Sequence, residues 1–410
     1  MEYFWTNNDV SLRVINREDI DTFQDSFYDT ELNICTDHEV ILPPVYENTE
    51  KFVDKTMEAC KDNEEIWFVV LNDKSEKVGY AKISYIDERL GNCDCSVYIF
   101  RKYRNNRYAS SAYEILLKYI FNERRLHKVH CCILDGNKEG ERFLQKFNFK
   151  LECARTEMFY VHGRYLTEYY FGLLENEYRE LVNNKKEHIE YDEDYLKKLP
   201  YSSLGELSHK NNNPPQKESY EREYFWSYED ITFRATTMDD YRENSKILYD
   251  SKICRLFDND VKLPFDLETK EFSDHNTKFK GGNDRLEFAI MNKDKEYIGC
   301  VNLCGIDHKN GKFSLSVLIS KEYRGMGYGT KALRLILSYA FFELRLNKLI
   351  TVVNDENIAS ATMMRKVGCR VEGFHRESSF YEGKYVNEVF FGVNKEEFIQ
   401  ANKEYKVIPE

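Results

Sequence analysis

Two hydrophobic rhythms run along this chain, and their succession occurs twice. Phe313, Leu315, Val317 and Ile319 alternate with polar neighbours, the period of a half-buried strand, and Cys93, Cys95, Val97 and Ile99 do the same earlier. Each alternating run leads through a turn into a helical pattern. Leu333, Ile336, Leu337, Ala340 and Phe341 share one helix face in the later stretch, and Tyr113, Leu116, Leu117, Ile120 and Phe121 share it in the earlier one. Ahead of each long strand lies a hairpin, Phe288–Ile290 with Ile298–Val301, matched by Phe68–Val70 with Val78–Ala81. A strand at Leu349–Val353, a second helix and a hairpin turning at Glu382-Gly383-Lys384 complete the later copy. These patterns predict an α/β fold of the mixed kind, a mostly antiparallel sheet flanked by helices, present as two tandem domains.

The repeat is visible residue by residue. Glu2-Tyr3-Phe4-Trp5 returns as Glu223-Tyr224-Phe225-Trp226, Lys102-Tyr103-Arg104 faces Glu322-Tyr323-Arg324, and Tyr165–Gly172 faces Tyr385–Gly392. The offset holds at about 220 residues, which is a duplicated domain rather than a solenoid unit. The expected boundaries are a first domain at 1–182, a linker at 183–222, a second domain at 223–400 and a tail at 401–410. The linker is rich in Lys, Glu and Asn, contains Asn211-Asn212-Asn213-Pro214-Pro215, and has a short helical pattern at 192–198.

Composition narrows the partners. The 410 residues are 42% hydrophobic and carry a formal charge of −12, so the chain can build packed cores and repels phosphate backbones. No nucleic-acid partner is expected, whereas a cationic amine suits the charge. No apolar run reaches the roughly 18–20 residues of a membrane span, and Met1–Trp5 does not read as a signal peptide. A cytoplasmic protein without a membrane partner is therefore expected. The eleven cysteines are scattered and read as small buried hydrophobes. Zinc sites are signalled by paired spacing such as C-x2-C, and none occurs, so no metal is expected.

Candidate chemistry centres on Arg324-Gly325-Met326-Gly327-Tyr328-Gly329-Thr330, between the long strand and its helix. Helix N-termini leave N–H groups unpaired and favour anions, and glycines let backbone approach a pyrophosphate. Taken by itself, the turn also fits an ordinary Gly-rich connection. A Walker A loop would need Lys before Thr330, and a dinucleotide fingerprint would need G-x-G-x-x-G early in its domain.

At these residues the later copy resembles the GNAT N-acetyltransferase superfamily, in the branch of ribosomal-protein N-terminal and spermidine acetyltransferases. The family's Q/R-x-x-G-x-G/A turn matches Arg324–Gly329. Its N-x-x-S/A…K-x-G-F segment matches Asn357–Ser360 and Lys366–Cys369, and its late E-G…R…G pattern matches Glu372-Gly373, Arg376 and Gly383. The resemblance implies acetyl-CoA as co-substrate. Val317, Leu318 and Ile319 would meet the pantetheine arm, Arg324 to Thr330 (Arg324, Gly325, Met326, Gly327, Tyr328, Gly329, Thr330) the pyrophosphate, and Asn357 and Ser360 the cofactor's other side. Asn357 also suits a helix cap. Relatives carry a Glu on the long strand as base and a Tyr on the last helix as acid; here those positions are Ser314 and Met364. Ser360 is the remaining candidate acid, and also reads as a small helix-start residue.

In the first copy the turn is Arg104-Asn105-Asn106-Arg107-Tyr108-Ala109-Ser110, without glycine, and Lys138-Glu139-Gly140 replaces Ile358-Ala359-Ser360. Poor acetyl-CoA binding is expected there, although Asp94 stands at the position where relatives keep the Glu. The expected function is N-acetyl transfer to a primary amine, on a small molecule or a protein N-terminus. The second domain is the active one and the first a degenerate scaffold; the alternative is a non-catalytic acetyl-CoA-binding module. The acceptor pocket is expected near 256–284 and Tyr381. Two fused copies could satisfy a pseudo-dimeric arrangement within a monomer.

Overall fold

Every stretch of period-two alternation is a strand in the computed structural model, which describes residues 4–183, 226–248, 253 and 285–405, apart from 8, 39, 41, 43 and 63. The chain divides into two compact units, Met1–Lys198 with Arg376–Ser378, and Leu199–His375 with Ser379–Glu410. Residues 184–222 of the expected linker, and the acceptor segment 256–284, lie outside the described residues.

Unit 1 opens with β1 (Val10–Val14), then α1 (Ile20–Phe27), α2 (Thr30–Asp37) and α3 (Tyr46–Lys61). Next come β2 (Ile66–Asn72), β3 (Lys77–Asp87), β4 (Asn92–Ile99), α4 (Tyr108–Lys118), β5 (Lys128–Leu134), α5 (Lys138–Lys146), β6 (Lys150–Val161), β7 (Arg164–Leu174) and α6 (Glu175–Asn183). Its strands lie in the order β1-β2-β3-β4-β5-β7-β6. Only β4 and β5 run parallel, and their ladder spans just Asn92↔Lys128, Cys93↔Val129 and Asp94↔His130.

Unit 2 repeats this plan with β8 (Ser227–Tyr228), β9 (Ile231–Ala235), α7 (Met238–Leu248), β10 (Leu286–Asn292), β11 (Tyr297–Asp307) and β12 (Lys312–Ile319). It continues through α8 (Tyr328–Ser338), β13 (Lys348–Asn354), α9 (Ile358–Lys366), β14 (Arg370–Tyr381), β15 (Lys384–Asn394) and α10 (Lys395–Ala401). The strand order is β8-β9-β10-β11-β12-β13-β15-β14, again with one parallel pair, β12 and β13. The expected mixed, mostly antiparallel sheet with helices is therefore present in each unit.

The core of unit 2 forms where the two rhythms meet. Leu333, Ile336, Leu337, Ala340 and Phe341 pack with Phe313 and Leu315, and Val317 and Ile319 sit half-buried at the edge of that cluster. Trp226 lies against Phe288 and Tyr339, as Trp5 lies against Phe68 and Tyr119, so the repeated tryptophan packs into the core in each copy. The β14–β15 hairpin turns at Glu382 and Gly383, both at positive φ, the geometry of a tight two-residue hairpin loop. Among the described residues no helix is long and apolar enough to cross a membrane.

Candidate active site

The side-chain period of β12 runs unbroken to Ile319, but its backbone pairing does not. Beside β13 it makes only two rungs, Lys312↔Lys348 and Phe313↔Leu349, while it stays paired to β11 as far as Ile319. From Ser314 onward the two parallel strands part, and one edge of β12 has no ladder partner in β13. An extended ligand can add itself to such an edge through main-chain hydrogen bonds. Val317, Leu318 and Ile319 lie on this edge.

The chain then passes a 3₁₀ turn, Lys321–Tyr323, and enters α8 through Gly325 (φ +77°) and Gly327 (φ +86°). A Cβ on either glycine would meet nothing within 4 Å, so both face open space. Lys331 N–H is the first beyond the turn to reach a helical acceptor, Gly327 O at 3.2 Å. The N–H groups of Tyr328, Gly329 and Thr330 therefore have no intrahelical acceptor and carry the positive end of the helix dipole. Gly329 has a different task, since a Cβ there would sit 2.5 Å from Met363 Sδ; it lets α8 lie close to α9. Arg324 Nε donates to Ile319 O at 2.8 Å, which ties the guanidinium to the end of β12.

Asn357 caps α9 by accepting from Ser360 N at 3.1 Å. Ser360 is thereby fixed in the first turn of α9, beside the helix that begins at the glycine turn. Met364 is 3% exposed and packs into the core, so that position faces away from the gap. Ser314 lies opposite Cys304 on β11.

The geometry also brings forward residues that motif reading passed over. Met326 (59% exposed), Ile358 (68%) and Val352 (44%) present apolar side chains at the turn, at the start of α9 and on the open stretch of β13. Their counterparts in unit 1 are Asn106, Lys138 and Cys132. Glu287 on β10 stands in a cross-strand row with Asn302 and Ser316, on the sheet face away from α8. Burial pushes its carboxyl pKa up against the opposing pull of Arg285, and Tyr241 Oη donates to it at 3.4 Å. A half-buried carboxyl on this sheet face is visible only once the register is known.

Unit 1 keeps the backbone of this site but not its chemistry. Asn105 (φ +65°) and Arg107 (φ +63°) occupy the left-handed positions of Gly325 and Gly327, at a cost of about 1–2 kcal/mol each for residues with a Cβ. Arg104 lies 3.8 Å from both Glu31 and Glu139, so two carboxylates stand beside this turn. Asp94, opposite Ser84 at the end of the β4–β5 ladder, has its pKa pushed up to about 7 by burial; Lys82 opposes the shift and Glu168 adds to it. Cys93, Cys95, Cys131, Cys132 and Tyr170 also feel its charge.

Between the unfolded value near 4 and the folded value near 7 the native state holds the extra proton. Its contribution to stability is present at low pH and is lost as pH rises through 7. Asp94→Asn should therefore leave unit 1 nearly unchanged at pH 4 and stabilise it by about 2–4 kcal/mol at pH 8. Thermal unfolding of wild type and variant at the two pH values measures this. An equal effect at both would show an ordinary, solvated carboxylate.

Residues 9–150 and 230–370 each match the family described as acetyltransferase (GNAT) domain. An SPbeta prophage-derived uncharacterized N-acetyltransferase of Bacillus subtilis is 26% identical over 174 residues, 42% of this chain and 95% of the relative. Spermidine N(1)-acetyltransferase of Escherichia coli K12 is 32% identical over 114 residues, 28% of this chain and 61% of that enzyme's length. Among solved structures, spermidine N-acetyltransferase from Vibrio cholerae in complex with CoA and spermine is 22% identical with a TM-score of 0.38, covering 42% of this chain and 98% of that one. The two family matches together span more than half of the 410 residues, and the chain belongs to the GNAT acetyltransferases, with two copies of their domain.

Proposed function

We propose that unit 2 binds acetyl-CoA and transfers its acetyl group to a primary amine, while unit 1 serves as a scaffold. The observation that carries this reading is the coincidence of two features. The β12–β13 gap opens after Phe313, and the glycine turn at its far end presents left-handed, unobstructed backbone and unpaired N–H groups. The pantetheine arm lies along Val317, Leu318 and Ile319, its pyrophosphate against Gly325 to Thr330, and its apolar parts against Met326, Val352 and Ile358. The amine nitrogen attacks the thioester carbonyl, the C–S bond breaks, the nitrogen loses a proton and the departing thiolate gains one. Ser360 supplies the thiolate's proton. Glu287 takes the amine's proton through water, since two strand spacings place it about 10 Å from β12. Positioning two reactants in one gap supplies much of the remaining acceleration. The relative named for spermidine supports a primary amine as acceptor.

Calorimetry with acetyl-CoA should give one site per chain, and free CoA thiol should be released with an amine panel that includes polyamines and N-terminal peptides. Ser360→Ala should lower kcat about 10–100-fold with little change in KM, and Glu287→Gln should flatten the acid limb of the pH profile. Tight binding without turnover on any amine would leave a non-catalytic acetyl-CoA-binding module. Two equivalent sites would show that unit 1 works as well.

A further inference from the structure

In unit 1 a set of unlike side chains meets beside β5, just past the point where it parts from β4. Cys132 lies on β5, two residues past the last rung that β5 shares with β4, at the position where unit 2 has the exposed Val352. Glu168 reaches the same place from β7 and is 2% exposed. His38 arrives from the C-terminal end of α2, where the chain turns through a left-handed conformation (φ +60°), and is 8% exposed. A thiol sulfur, an imidazole nitrogen and a carboxylate oxygen from these three residues all lie within 4.8 Å of one another.

We propose that His38, Cys132 and Glu168 form a binding site for a zinc-type divalent ion in unit 1. His38 Nδ1 and Glu168 Oε1 are 3.6 Å apart. That is too long for a hydrogen bond between them. It is close to the edge of a tetrahedron around zinc, about 3.4 Å for ligand distances of about 2.1 Å. The donor set is thiolate, imidazole and carboxylate, which selects zinc or cobalt over the oxygen-loving magnesium and calcium. The carboxylate is already oriented from behind. Arg155 Nε donates to Glu168 Oε2 at 3.0 Å, and the same guanidinium donates to Tyr170 Oη at 2.7 Å and lies over its ring. Such outer partners are what hold a ligating carboxylate in one pose. The His38 ring is held edge-on against Phe159 at 4.6 Å.

Three protein ligands leave a fourth position for water. An ion here would pin the end of α2 to β5 and β7, across the gap that stays open in unit 2. Spacing rules miss the site because its ligands are separated by 94 and 36 residues in the chain, and only the fold unites them. The unit 2 positions that match Cys132 and Glu168 are Val352 and Glu388, so the thiolate ligand belongs to unit 1 alone.

The test uses the full-length chain, stripped with chelator and titrated with Co2+. One equivalent should bind, with the near-ultraviolet absorption of thiolate-to-cobalt charge transfer, and Zn2+ should displace it. Cys132→Ser should abolish that absorption, and Cys60→Ser, elsewhere in the same unit, should leave it intact. His38→Ala, at a helix end, should weaken binding by more than about 100-fold, since even outer-shell losses cost about 10–100-fold. Failure of the chain to bind Co2+, or a charge-transfer band that survives Cys132→Ser, would overturn the proposal. Neither readout depends on acetyl transfer.

Discussion

Gly327→Arg is expected to abolish acetyl-CoA binding by unit 2 while leaving its fold in place. The two halves of that expectation rest on different observations. Gly327 sits at φ +86°, and a Cβ there meets nothing within 4 Å, so the native chain has room for a side chain. Unit 1 shows the outcome directly, because Arg107 opens α4 at φ +63° in the equivalent place. The backbone penalty is about 1–2 kcal/mol, or a fall in Tm of a few degrees. The cofactor suffers more. A guanidinium stem over the helix start keeps the pyrophosphate from the N–H groups of α8, and losing two charge-assisted hydrogen bonds at about 1.5–3 kcal/mol each removes more than about 100-fold in affinity. Gly327→Ala carries the same backbone penalty without the bulk and should lose far less. Calorimetry together with thermal melting separates the two effects. Near-native affinity in the Arg variant would show that the pyrophosphate does not lie against this turn.

What could be read in advance followed the side-chain periods. Strands, helices, the hairpin at Glu382–Gly383 and the duplication all appear in the alternation of apolar residues, because burial on one face is what the alternation records. The parting of β12 from β13 was invisible for the same reason: Val317 and Ile319 keep the period of Phe313 and Leu315 while the neighbouring ladder is lost. The first copy's turn shows what residue types alone leave open: Asn105 and Arg107 hold the left-handed backbone of the glycines they replace, and what differs is the side chains and the carboxylates around Arg104. Glu287 and the His38, Cys132 and Glu168 group carry no local signature, since register and tertiary packing alone place them. Met364 was aligned with a catalytic position, but its side chain serves the core.

Lys348→Met is expected to destabilise unit 2 by about 3–5 kcal/mol, which identifies Glu372 as a structural residue although it belongs to a family motif. Lys348 is 1% exposed and pairs with Glu372, itself 9% exposed. The pairing depends on a bulge: the register of β14 against β15 shifts between Val371 and Gly373, so Glu372 is the extra residue. Its carboxylate lies over Gly392, where a Cβ would stand 2.5 Å from Cδ, and only glycine leaves that passage open. The same construction recurs in unit 1, with Lys128 Nζ donating to Glu152 at 2.8 Å, a register shift between Leu151 and Cys153, and Gly172 beneath. Because unit 1 keeps the device while losing the glycine turn, the device serves the fold. It also stands at the hinge of the gap, since Lys348 forms one of the two rungs that join β13 to β12. Removing the ammonium leaves a buried carboxylate without its cation, whereas Lys348→Met with Glu372→Leu removes both charges and should restore most of the loss. For a unit of this size the single variant should lower Tm by about 6–20 °C. An unchanged Tm in the single variant, or a double variant as unstable as the single, would show that the pair does not hold β13 and β14 in place.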